Sequence, residues 1–98
     1  MICTAGIWAV KPRRVGDFTR MWEQSASSLS VDFPEVTFRL LRDRDDPSRF
    51  ISLAEGWRNA EQIEAARSLP AFQDAMAAIW RLLEDGDQST LDLVVEVS

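Results

Sequence analysis

The order of periodicities along this chain of 98 residues predicts an α+β fold: a four-stranded antiparallel sheet packed on helices in the ferredoxin-like β-α-β-β-α-β arrangement. Three observations predict it. Segments that alternate every second residue and segments with helical spacing follow one another in that order. The second helical segment is interrupted at Pro70. Apolar residues also fall on both parities of the strands, so the sheet carries more apolar surface than one helix layer covers.

Cys3 to Val10 is a short apolar run with β-branched and aromatic members and reads as a buried strand, broken by Lys11-Pro12-Arg13-Arg14. From Val15 the period changes. Val15, Phe18, Met21, Trp22, Ala26 and Leu29 recur at three- and four-residue steps, which places them on one helix face. Ser25, Ser27, Ser28 and Ser30 weaken the helix toward its end, and Asp32 to Pro34 stop it. Val36 to Asp43 alternates as a strand, the run from Asp43 to Ser48 has turn composition, and Arg49 to Trp57 is the second arm of a hairpin.

Asn59 is the expected N-cap of the second helical segment, with Gln62 as its capping-box partner; Ile63, Ala66 and Leu69 face inward. Pro70 opens a further helical piece on which Phe72, Met76, Ile79, Trp80 and Leu83 repeat, and Gly86 is its expected stop. The final segment alternates Leu91, Leu93, Val95 and Val97 against Asp92, Val94 and Glu96. It reads as the fourth strand, with the first set turned toward the helices.

Composition narrows the function. The length suits one domain, residues 1–98, and a hydrophobic fraction of 46% is enough for a packed core. A net charge of -5 repels phosphate backbones, so no nucleic-acid partner is expected. Cys3 is the only cysteine, which excludes an intrachain disulfide. No apolar run approaches the ~18 residues of a membrane span and no signal-peptide pattern opens the chain. A cytoplasmic location without membrane association is therefore expected. Histidine and tyrosine are absent. That removes the commonest metal ligand and the commonest general base near neutral pH, and no metal or cofactor is expected. Without a histidine to activate it, Cys3 reads as a small buried hydrophobe.

The sheet face turned away from the helices should be polar in a lone protomer. Here Ala5, Ile7, Ala9, Leu41 and Val94 mix with Thr37, Arg39, Asp92 and Glu96. Such a face suits a homodimer with two sheets opposed, Arg39 pairing with Asp92 or Glu96.

The stretch from Phe50 to Gln73 carries the most specific pattern: Glu55-x-Trp57 at a strand end, a capped helix, then Ser68-x-Pro70-x-Phe72-Gln73. With the opening strand and its Lys-Pro break, it resembles the antibiotic biosynthesis monooxygenase (ABM) family over nearly the whole chain. The resemblance implies a dimeric α+β barrel, in which each ferredoxin-like protomer holds an apolar pocket between sheet and helices. Members of that superfamily oxidise aromatic polyketides with dioxygen and no metal or flavin, degrade haem, or process quinones and small signalling molecules. The asparagine, tryptophan and histidine of the haem-degrading branch would fall at Gly6, Ala66 and Met76, which argues against haem. The asparagine and tyrosine of the polyketide-oxidising branch have no counterpart beyond Asn59, which has a capping role.

Four tryptophans give the resemblance a physical counterpart. Trp22 and Trp80 lie on helices, Trp8 and Trp57 on strands, opposite the small residues Gly6, Ser52 and Ala54. Large side chains over small ones either interlock into a solid core or wall a flat cavity for an aromatic ligand. The candidate ligand-contact set is Gly6, Trp8, Phe18, Trp22, Ser52, Ala54, Trp57, Phe72, Met76 and Trp80. Arg39, Arg81, Ser52, Thr4 and Gln73 are the polar candidates. Arg39 is either a cation that steadies a phenolate or an interface salt-bridge partner. Glu55 is either a general base or an interface carboxylate. Two functions stay open: a cofactor-independent monooxygenase acting on a flat aromatic or quinone-type substrate, and a non-catalytic dimeric domain that binds a small apolar molecule or serves interaction.

Overall fold

The computed structural model describes residues 1–98. Strand β1 (Ile2–Val10) leads through a short 3-10 turn (Pro12–Arg14) into helix α1 (Val15–Asp32). The hairpin β2 (Thr37–Arg42) and β3 (Arg49–Trp57) follows, then the two helical pieces α2 (Ala60–Arg67) and α3 (Pro70–Trp80), and last β4 (Leu83–Asp92). The sheet order is β2-β3-β1-β4 with every neighbour antiparallel, so the chain is a ferredoxin-like α+β fold.

The local chemistry explains the breaks. In the hairpin, the Asp43 carboxylate accepts from the Asp45 N–H at 2.8 Å and the Asp46 carboxylate from the Ser48 N–H at 3.0 Å. The Asp45 N–H bond, and then Arg49, hold the Asp43 carboxyl below its ordinary range. At α2, Asn59 Oδ1 accepts from the Gln62 N–H at 2.9 Å, while Gln62 Oε1 accepts from the Arg58 N–H at 2.7 Å. The same Gln62 donates through Nε2 to Glu35 Oε1 at 2.6 Å, tying the α1–β2 connection to the start of α2. That bond, helped by the Glu35 backbone N–H and the Arg58 charge, lowers the Glu35 pKa.

One sheet face meets the helices in three rows set by the register. They are Phe38–Ala54–Thr4–Thr90, Leu40–Ser52–Gly6–Gln88, and Arg42–Phe50–Trp8–Gly86. Strict alternation after Ala54 would turn Trp57 outward. A bulge places Trp57 opposite Ile2 and Glu55 opposite Cys3, and the extra residue, Gly56, has φ +105. A side chain there would also collide with the Glu35 carbonyl. The bulge returns Trp57 to the helix side, where it is 6% exposed.

Two apolar clusters fill the layer. One joins Trp8, Val10, Phe18, Phe50, Ile79, Leu82 and Leu83; the other joins Leu29, Val36, Ala54, Trp57, Ile63 and Ala66. No helix is long and apolar enough to cross a membrane.

The fourth strand corrects the sequence reading. It begins at Leu83 and pairs with β1 from Val10↔Leu83 to Ile2↔Asp92. Because β1 ends at Ile2, residues beyond Asp92 have no neighbouring strand; only the Leu93 N–H reaches the Met1 carbonyl, at 2.9 Å. Leu91 lies opposite Cys3 and points away from the helices, and Leu93, Val95 and Val97 are exposed rather than core. Gly86 is inside β4 opposite Trp8, not at a helix end, and Leu83 belongs to the strand.

The far face carries Cys3, Ala5, Ile7, Ala9, Thr37, Arg39, Leu41, Ile51, Leu53 and Glu55, as the register requires. Val94 is not on it, because the sheet has ended. Arg39 pairs at 3.5 Å with Glu55 on the adjacent strand. Asp92 sits on the opposite edge strand and Glu96 beyond the sheet, so neither is its partner within the chain.

Candidate functional site

A partly open cavity of about 110 Å³ lies between the helices and the two upper rows of the sheet. Helix α1 contributes Trp22, Ser25, Ala26 and Leu29; α2 contributes Ile63, Ala66 and Arg67; α3 contributes Phe72, Met76 and Ile79. The sheet contributes Thr4, Trp8, Phe38, Ser52, Ala54, Trp57 and Gln88. The void has a simple steric origin. Alanines and short hydroxyl residues line the floor and the α2 wall, while the bulky aromatics stand at the sides.

Trp8 is fixed in place by what lies beneath it. A side chain on Gly6 would run into its indole, and a Cβ on Gly86 would come within 2.8 Å of Trp8 Cε3 and 2.9 Å of Trp80 Cη2. The indole thus rests against two glycines and donates through Nε1 to Ser52 Oγ at 2.9 Å. Trp57 makes the equivalent bond, from Nε1 to Thr4 Oγ1 at 3.2 Å. Phe33 and Phe38 meet the Trp57 ring at steep angles, with centroids 5.5 and 6.1 Å away. Each hydroxyl accepts one indole N–H and keeps its own proton to donate. The cavity floor therefore offers hydrogen-bond donors to an oxygen on a flat ligand.

Of the candidate contact residues, Trp8, Trp22, Ser52, Ala54, Trp57, Phe72 and Met76 line the cavity. Three do not. Gly6 is covered by the Trp8 indole. Phe18 is fully buried against Phe50 at a centroid distance of 5.1 Å. Trp80 is 44% exposed and meets Trp8 edge-on at 5.9 Å, outside the cavity. Arg39 and Glu55 are on the far face of the sheet, and Arg81 and Gln73 are exposed and absent from the lining. Only Thr4 and Ser52 of the polar candidates reach the site.

The sequence reading missed Arg67 and Gln88. Arg67 carried a signal of position, one residue beyond the inward-facing Ala66. Gln88 carried none, because its segment did not read as a strand. No carboxylate lines the cavity, and Arg67 is its one charged residue. Ser25, Leu29 and Phe72 also border a groove of about 260 Å³ between α1 and α3, so these three side chains stand between cavity and groove.

The whole fold is shared with solved structures. SnoaB, a cofactor-independent oxygenase from Streptomyces nogalater, aligns with a TM-score of 0.81 at 18% identity, covering 98% of this chain and 95% of its own. An antibiotic biosynthesis monooxygenase aligns with a TM-score of 0.83 at 18% identity, over 97% of this chain and 100% of that one. A conserved protein from Methanosarcina mazei gives 0.82 at 13% identity, over 92% and 89%. A search of curated proteins found no match. The family model for antibiotic biosynthesis monooxygenase matches residues 1–78, which span β1 through most of α3, and the chain belongs to that family.

Proposed function

We propose that residues 1–98 form one cytoplasmic domain that binds a flat aromatic or quinone-type molecule in this cavity and oxidises it with dioxygen, without a cofactor. The observation that carries the reading is the indole-walled cavity over a hydroxyl floor: Trp8, Trp22 and Trp57 offer ring faces and edges, and Thr4 and Ser52 offer protons. An electron-rich ring can itself supply electrons to dioxygen. One oxygen atom enters the ring as a carbonyl. The other leaves as water with two hydrogens of the substrate, one from the ring carbon attacked and one from a ring hydroxyl. The protein's part is to orient the ring, donate to its developing oxyanion and keep bulk water out. The fold shared with a cofactor-independent oxygenase supports this reading.

The domain works as a homodimer in this proposal. Ile7 and Leu41 on the far sheet face are 47% and 49% exposed, and Leu91 is 44% exposed. The apolar residues from Leu93 to Val97 find no strand in their own protomer. A second copy offers cover for both.

Duroquinone, a single-ring quinone, should quench tryptophan fluorescence at micromolar concentration, and Trp22→Ala should abolish the quenching. Oxygen uptake with a hydroquinone should then exceed the buffer rate. Quenching without uptake would leave a binding domain and remove the oxygenase. Sedimentation velocity should give a dimer that Ile7→Lys dissociates; a wild-type monomer at micromolar concentration defeats the dimer.

A further inference from the structure

The cavity's one charge is a cation in an acidic protein. Arg67 ends α2, and its Nη2 donates to Thr90 Oγ1 at 3.3 Å, on the helix-facing side of the edge strand β4. Its only carboxylate partner is Glu64, three residues back on the same helix, at 3.7 Å, and Glu64 is 71% exposed. An exposed pair at that distance neutralises little of the charge. A guanidinium has five N–H donors, and Thr90 takes one of them. An arginine in a last helical turn also steadies the helix dipole, a role that a fully solvated side chain serves equally well. The Arg67 side chain is instead 38% exposed and borders the cavity, which Gln88 of β4 also lines.

The size of the cavity sets the second term. Its volume of about 110 Å³ is of the order of the roughly 150 Å³ that accepts benzene in an engineered apolar cavity, and well under a drug-sized pocket. It fits one ring rather than several fused ones.

Building on the binding role proposed above, we infer that the ligand is a single aromatic ring carrying an ionised oxygen, a carboxylate or a phenolate, and that Arg67 selects it for that charge. The ring packs among Trp8, Trp22 and Trp57. The ring hydroxyls meet Thr4 and Ser52, and the anionic oxygen reaches the guanidinium at the β4 side. The cavity supplies no carboxylate to repel it.

The test titrates the full chain at pH 7 with 3,4-dihydroxybenzoate and with the neutral isostere 3,4-dihydroxybenzamide, reading tryptophan fluorescence. The acid should bind about tenfold or more tightly than the amide, the range of a charge-assisted hydrogen bond. R67Q should lose the preference and bind the two with similar affinity, and R67K should restore part of it. R67K also keeps the test valid if R67Q fails to fold. Repeating the amide titration up to pH 10 separates the two anions: tighter binding as the phenol ionises assigns the site to phenolate, and no change assigns it to carboxylate. Equal affinity for acid and amide at pH 7 with no tightening of the amide up to pH 10, while duroquinone still quenches, overturns the charge selection and leaves the cavity as a binding site. Failure of the acid, the amide and duroquinone alike overturns the binding role itself.

Discussion

At one end of the helix layer, Val10 and Phe18 are fully buried and pack with Phe50, Leu82 and Leu83, none of which borders the cavity. At the other, Leu29, Ala54, Trp57, Ile63 and Ala66 are nearly as shielded from solvent, yet all five border the cavity. The difference lies in the opposing residues. Phe18 meets another large ring, Phe50, with centroids 5.1 Å apart, so the volume closes. Trp57 shares its end with Ala54, Ala66 and Thr4, whose short side chains cannot close it. Burial alone does not separate a load-carrying interior from a binding interior; what the neighbours fill does. One end is filled and the other holds the cavity, with Trp8 and Ile79 of the packed cluster standing between them, and substitutions should affect the two ends differently.

Phe18→Ala should be the most damaging change, costing about 3–5 kcal/mol in urea unfolding, while the folded fraction still binds duroquinone. Gly6→Ala should cost about 1–3 kcal/mol, because a Cβ there displaces the Trp8 indole from its seat and breaks the bond to Ser52. A shift of tryptophan emission should accompany it. Ala66→Leu tests the hollow end. Filling the cavity should raise stability by about 0.5–2 kcal/mol and abolish duroquinone quenching. A loss of stability on the scale of the packed end would show that the space is not available.

The smallest effect is acid sensitivity. Asp43 beside the packed end and Glu35 at the rim of the hollow end both ionise more easily folded than unfolded. Their contribution is complete above the ordinary carboxylate range, about pH 4, and is lost as pH falls through their lowered values. Melting midpoints between about pH 2 and 5 should therefore fall on acidification, and Glu35→Gln should flatten part of that fall.

Much of this was legible in the residues themselves. Helix α1, the β2–β3 hairpin, the Asn59 cap and the restart at Pro70 follow from spacing and capping chemistry that act locally. Strand β4 did not, because its sequence from Leu83 to Asp92 is polar and contains Gly86. It is a strand because β1 supplies its hydrogen bonds and Trp8 needs a glycine opposite, both long-range conditions. The well-patterned segment from Leu91 to Val97 outruns its only neighbour. The same gap hid part of the site: Trp22, Ser52 and Met76 were readable from helix and strand periods, whereas Gln88 depends on the register of β4 and Arg67 on a contact with Thr90.

The glycine that interrupts β3 has the widest reach for its size. A strand is read two residues at a time, and one inserted residue shifts the reading frame for everything after it. Gly56 takes no place opposite β1; were it to pair with Ile2 as an ordinary strand residue, Trp57 would turn to the side shared with Glu55 and leave Thr4 without its indole, whereas deleting it would keep Trp57 in phase opposite Ile2. A relative of the same length with a side chain at this position, where φ is +105 and the Glu35 carbonyl leaves no room, would thus lose a wall of the cavity while keeping every strand.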